Sequence, residues 1–201
     1  VPERDASATE AIAPQRTLVW VDLKGSESLP LSVQPKAYQK ARISPDGSKV
    51  ALDDGNDLFL YDVRRTTLMP LEYGPSRDSS PVWTPDGLAI TFASDRNGIP
   101  NMFSRISDGS DEAVLLQASP RAQFPESWSG DGSRLTYAEL DNGSWDVGLF
   151  NQGGDAKNSS GPIIHSPAAE GSSAISPDGG WIAYGSSESG QAQVYVAAFP
   201  S

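Results

Sequence analysis

Three carboxylates, Asp78, Glu126 and Glu170, stand at related places in a repeating sequence, each a few residues ahead of a polar tight turn. Converging carboxylate oxygens can hold Ca²⁺, and a bound calcium can polarise a substrate oxygen for hydrolysis. On that reading these three are the metal ligands, with Asp95 and Asp141 behind them, in a hydrolase of esterase, lactonase or phosphotriesterase type. Arg96 and Glu188 complete the candidate binding face. No calcium-loop spacing of the D-x-D-x-D-G kind occurs. The competing reading is that these residues serve turn geometry and solubility, with no cofactor at all.

Other catalytic chemistries find little support. The single histidine, His165, falls at the end of an expected outer strand, away from any nucleophile. G-x-S-x-G and S-x-x-K are missing, and the nearest approach, Gly185-Ser186-Ser187-Glu188-Ser189, lacks the final glycine. One histidine and no cysteine leave no thiolate site and no H-E-x-x-H zinc site. The glycine pairs Gly153-Gly154 and Gly179-Gly180 do not make a phosphate loop.

The elements that would carry these residues follow from four tetrapeptides. These are Ser44-Pro45-Asp46-Gly47, Thr84-Pro85-Asp86-Gly87, Ser129-Gly130-Asp131-Gly132 and Ser176-Pro177-Asp178-Gly179, with aspartates 40, 45 and 47 residues apart. Proline presets φ, aspartate caps the turn and glycine supplies positive φ, so each reads as a hairpin turn. Short apolar segments precede the turns, at 41–43, 81–83, 126–128 and 173–175, and others follow at 50–52, 89–92, 135–137 and 181–184. Third strands are expected at 58–63, 102–106, 145–150 and 194–199, and fourth strands at 67–71, 113–116 and 162–165. Trp83 and Trp128 precede the turn at the same place in consecutive modules, which points to packing between modules; Trp20, Trp145 and Trp181 read the same way. A period of this size with four strands per repeat is that of propeller blades.

The modules resemble the SPDG-type propeller repeats of TolB, related to WD40-like repeats and found in bacterial kinase-linked and oligopeptidase-linked domains. The likeness rests on ISPDG-x-x-VAL at 43–52, VWTPDG…ASDRNG at 82–98, SWSGDG…ELDNG at 127–143, ISPDGGWIAY…SESG at 175–190 and the opening LVWVDLKG at 18–25. It implies an all-β propeller of four-stranded antiparallel blades. Modules are expected at about 36–75, 76–120, 121–168 and 169–201, with 17–35 as an extra hairpin and 1–16 as a flexible tail. It also implies an extracytoplasmic (periplasmic or secreted) scaffolding or sensory role.

On a propeller the loops entering first strands and those joining second to third strands share one face. That face is expected to present Lys40, Arg77, Asp78, Arg121, Glu126 and Glu170, together with Asp53, Asp54, Asp95, Arg96, Asp141 and Glu188. The leading functional reading is therefore a non-catalytic module that binds a protein, peptide or small ligand there. A net charge of −11 argues against nucleic acid, and no apolar run is long enough to insert in a membrane. The strand count does not close a ring cleanly. Either the N-terminal hairpin stands as a thin fifth blade, or two chains pair their open ends as a homodimer.

Overall fold

The computed structural model describes residues 14–25, 27–30, 33–153 and 161–199. Every described element is a β-strand and every strand pairing is antiparallel. A hairpin of β1 (Val19–Val21) and β2 (Glu27–Pro30) comes first. Blade one is the meander β3 (Lys40–Ile43), β4 (Lys49–Asp53), β5 (Leu58–Asp62) and β6 (Thr67–Glu72). Blade two is β7 (Asp78–Trp83), β8 (Ala89–Ser94), β9 (Asn101–Ile106) and β10 (Val114–Gln117). Blade three is β11 (Ala122–Trp128), β12 (Arg134–Asp141), β13 (Ser144–Asn151) and β14 (Gly161–Ile164). Blade four has three strands among the described residues: β15 (Glu170–Ile175), β16 (Trp181–Ser186) and β17 (Gln193–Ala198). The first strands β3, β7, β11 and β15 lie side by side.

All four turns have the geometry their residues dictate. The glycine N–H donates to the first residue's carbonyl at 2.8–2.9 Å, and each glycine has φ of +70° to +72°. The aspartate Oδ1 accepts from the hydroxyl of Ser44, Thr84, Ser129 or Ser176 at 2.5–2.6 Å. Those hydroxyls, with the amide of the residue after each glycine, hold Asp46 and Asp131 down at about 2. Gly130, standing where the other copies have proline, keeps the turn. A Cβ there would meet the Pro177 carbonyl oxygen at 2.8 Å, so the close approach of the next blade's turn suits a glycine.

The core lies between blades rather than within them. Ala51, Leu58, Leu60 and Leu71 of blade one pack on Trp83, Ile90, Phe92 and Phe103 of blade two. Val82 and Met102 pack on Trp128, Leu135 and Tyr137, and Val147 packs on Ile175, Ile182 and Phe199. Each buried inner-strand tryptophan also spends its indole N–H on the preceding blade: Trp83 Nε1 donates to the Arg42 carbonyl at 2.9 Å, and Trp128 Nε1 to Thr91 Oγ1 at 3.2 Å.

The other three tryptophans depart from the packing expectation, with Trp20 and Trp145 37% and Trp181 53% exposed. Strand alternation marks which side of a sheet a residue takes, not whether another sheet covers that side.

The residues that flank the hairpin lie against blade one. Leu18 and Val33 pack against Tyr38, Val50, Leu52, Phe59 and Tyr61 of blade one. Of the expected tail, residues 1–13 lie outside the described residues. Arg16 pairs with Lys36 through both backbone bonds.

Trp128→Ala removes both a buried aromatic and an inter-blade hydrogen bond. It is expected to cost about 3–5 kcal/mol in a denaturant melt; an unchanged midpoint would remove Trp128 from the core.

Candidate functional site

The first strands begin earlier than their apolar segments indicate. A bulge lets β7 continue pairing past Ser80, so that Asp78 lies opposite Ser94, and β15 does the same past Ser172, so that Glu170 lies opposite Ser186. Ser80 and Ser172 each carry φ of +56°. Asp78 and Glu170 are therefore strand residues, not loop residues, and Glu126 lies within β11. An alternating apolar pattern stops at such a bulge while the ladder goes on.

Each of these carboxylates has its own partners. Buried Asp78 lies 3.1 Å from Arg96, whose same nitrogen lies 2.9 Å from Glu72, and Arg105 reaches Glu72 at 2.9 Å. Burial raises the Asp78 carboxyl above its usual range despite the Ser94 hydroxyl and the Arg96 guanidinium. The Arg96 guanidinium also covers the rings of Phe92 and Phe103. Glu126 accepts the amides of Ser172 and Ser173 at 2.8 and 2.7 Å, and the Ser173 hydroxyl as well. Buried Glu170 accepts from the Ser166 and Ser186 hydroxyls.

The second ring of candidates is also engaged. Asp53 accepts the Ser80 and Gly55 amides, and Asp95 accepts the Arg77 amide at 2.7 Å. Arg121 bridges Glu139 and Asp141 at 3.0 Å each. Lys36 pairs with Asp54 at 3.1 Å. Glu188 is exposed, as is His165 just after β14.

Asp78, Glu126 and Glu170 do not form one ligand set. Among the described residues no group of three His, Cys, Asp or Glu side chains could hold a metal ion.

The structure gathers a different site. A cavity of about 740 Å³ draws on all four blades: Lys40 from blade one, Ser80 from blade two, Phe124, Glu126 and Trp145 from blade three, and Glu170, Ser186 and Val194 from blade four. Lys40 Nζ donates to Ser80 Oγ at 2.8 Å. Burial at the ammonium lowers the Lys40 pKa, outweighing the pull of Asp53 and Glu126. Phe124 and Trp145 meet edge to face, with centroids 5.6 Å apart, and form an aromatic wall. Lys40, Glu126 and Glu170 were legible as candidates. Ser80, Phe124 and Trp145 were not, although Trp145 opens a third strand beside the loop at 141–143.

The profile of the TolB beta propeller domain matches residues 14–159. The chain belongs to that family. The uncharacterized peptidase YuxL of Bacillus subtilis is 26% identical over 99 residues, which are 49% of this chain and 14% of that protein. The Tol-Pal system protein TolB of Helicobacter pylori is 36% identical over 67 residues, covering 31% of this chain and 16% of TolB. The chain thus matches well under a quarter of either relative's length. The structure of a putative TolB from Agrobacterium tumefaciens superposes with a TM-score of 0.78 at 18% identity, covering 92% of this chain and 67% of that one.

A calorimetric calcium titration of chelator-treated protein tests the carboxylates directly. Because each is committed to amides, hydroxyls or a guanidinium, no saturable heat is expected. Saturable binding that Glu126→Gln abolishes would restore the calcium reading.

Proposed function

We propose that this TolB-family propeller is a non-catalytic recognition module whose four-blade cavity holds an extended segment of a protein partner. The observation that carries this is the composition of the cavity. An aromatic wall, Phe124 and Trp145, stands beside Glu126, whose oxygens take the Ser172 and Ser173 amides, and Lys40, whose ammonium donates to Ser80 and has further N–H groups to offer an acceptor. Acyl-transfer chemistry needs amides aimed at a developing oxyanion. Here the Ser172 and Ser173 amides are taken by Glu126 and the Ser80 amide by Asp53. Side chains held by such bonds bind with little reorganisation. The segment it fits carries a large apolar side chain for the aromatic wall and a hydrogen-bond acceptor or carboxylate for Lys40. Family membership and the TolB relative support an extracytoplasmic site of action, with a scaffolding or sensory role.

The test is panning of a random peptide library on the immobilised protein, followed by titration of enriched peptides. Trp145→Ala is expected to weaken binding at least tenfold, about 1.4 kcal/mol, with little change in melting temperature because Trp145 is partly exposed. Enriched peptides that bind the variant as tightly as the parent would contradict this placement.

A further inference from the structure

Two Asn-Gly steps occur in the chain, Asn97-Gly98 and Asn142-Gly143, each in a connection from a second to a third strand. Both asparagines are exposed, and a Cβ on either glycine would meet nothing within 4 Å. In such a step the glycine nitrogen can attack the asparagine side-chain carbonyl carbon, with no glycine side chain in the way. What separates the two steps is that nitrogen. The Gly98 amide donates to the Asp95 carbonyl at 2.7 Å. Asn142 and Gly143, at φ of +47° and +89°, form the tight turn between paired Asp141 and Ser144 that an Asn-Gly sequence favours. Among the described residues the Gly143 amide donates to no acceptor.

We propose that Asn142 is a site of spontaneous modification, converting to aspartate and isoaspartate in the folded protein while Asn97 is held back. The Gly143 nitrogen gives up its proton and bonds to the Asn142 side-chain carbonyl carbon, and ammonia leaves, closing a succinimide ring. Water then adds at one ring carbonyl and breaks that carbon's bond to nitrogen. Opening at the backbone carbon reroutes the chain through the side chain and gives isoaspartate; opening at the side-chain carbon gives aspartate. The same ring could close at six Asp-Gly steps, which begin at Asp46, Asp54, Asp86, Asp108, Asp131 and Asp178. Closure there needs a protonated carboxyl. Neighbouring hydroxyls and amides lower all six, at Asp54 against the opposing effect of burial, so these steps stay ionised and closed to the reaction. Position 142 also borders the candidate site: Arg121 bridges Asp141 before it, and β13 after it carries Trp145 to the cavity wall. Either product adds a carboxylate beside Asp141, and isoaspartate lengthens the turn backbone ahead of Trp145.

Peptide mapping by mass spectrometry of the full chain, incubated folded at mildly alkaline pH, tests this, with enzymatic methylation to count isoaspartate. In the folded chain Asn142 is expected to convert roughly two to ten times faster than Asn97, the factor for freeing one hydrogen-bonded amide. In denaturant the two rates are expected to converge. Asn142→Gly, which leaves a pair of glycines able to make the same turn, is expected to remove most of the isoaspartate formed in the folded protein. Asn97 converting as fast as Asn142 in the folded chain would overturn the proposal. So would an Asn142 that keeps its amide while the denatured chain loses it, a rate gap that persists in denaturant, or isoaspartate undiminished in Asn142→Gly.

Discussion

The joint between successive blades is the interaction on which the rest depends. A single blade is a thin antiparallel sheet with no core of its own, and apolar area is removed from water only where two blades meet. At each such meeting a residue just before the turn, Trp83, Trp128 or Ile175, is pressed against the blade before it. The two tryptophans add a hydrogen bond across the joint, which fixes the relative height of neighbouring blades. The tight turns stack for the same reason: a Cβ on Gly87 or Gly132 would touch the preceding turn's proline, Pro45 or Pro85, at ordinary contact distance.

The acidic residues are secondary clips on that framework. Bulges at Ser80 and Ser172 turn backbone amides away from their own ladders, and the buried amides of Ser80 and Ser173 need an acceptor. The preceding blade supplies it: Asp53 for Ser80, and Glu126 for Ser172 and Ser173. Residue types that resemble metal ligands when read along the chain thus hold bulged strands in place. The cavity inherits its shape from these clips, because Ser80, Glu126 and Ser172 all line it.

The repeat, the turns and the two inner-strand tryptophans were legible because each is set by local chemistry or by repetition of a short motif. The partners of Asp78 were not. Its arginine is 18 residues away and shares Glu72 with Arg105, an arrangement that joins β6 of blade one to blade two. Trp145 and Trp181 carry the same strand alternation as buried neighbours, yet one forms a cavity wall and the other is half exposed among the described residues. What separates them is which blade stands opposite, and no local pattern contains that information.

The five tryptophans allow one direct measurement of the central claim, that blade joints hold rigid a cavity made for recognition. The indole N–H resonances are followed by nitrogen-15 NMR while a library-selected peptide is added. The account predicts that the Trp145 signal moves with saturation, while Trp83 and Trp128 keep their positions and resist hydrogen exchange. A still Trp145 signal, or Trp83 and Trp128 signals that exchange freely, would contradict it.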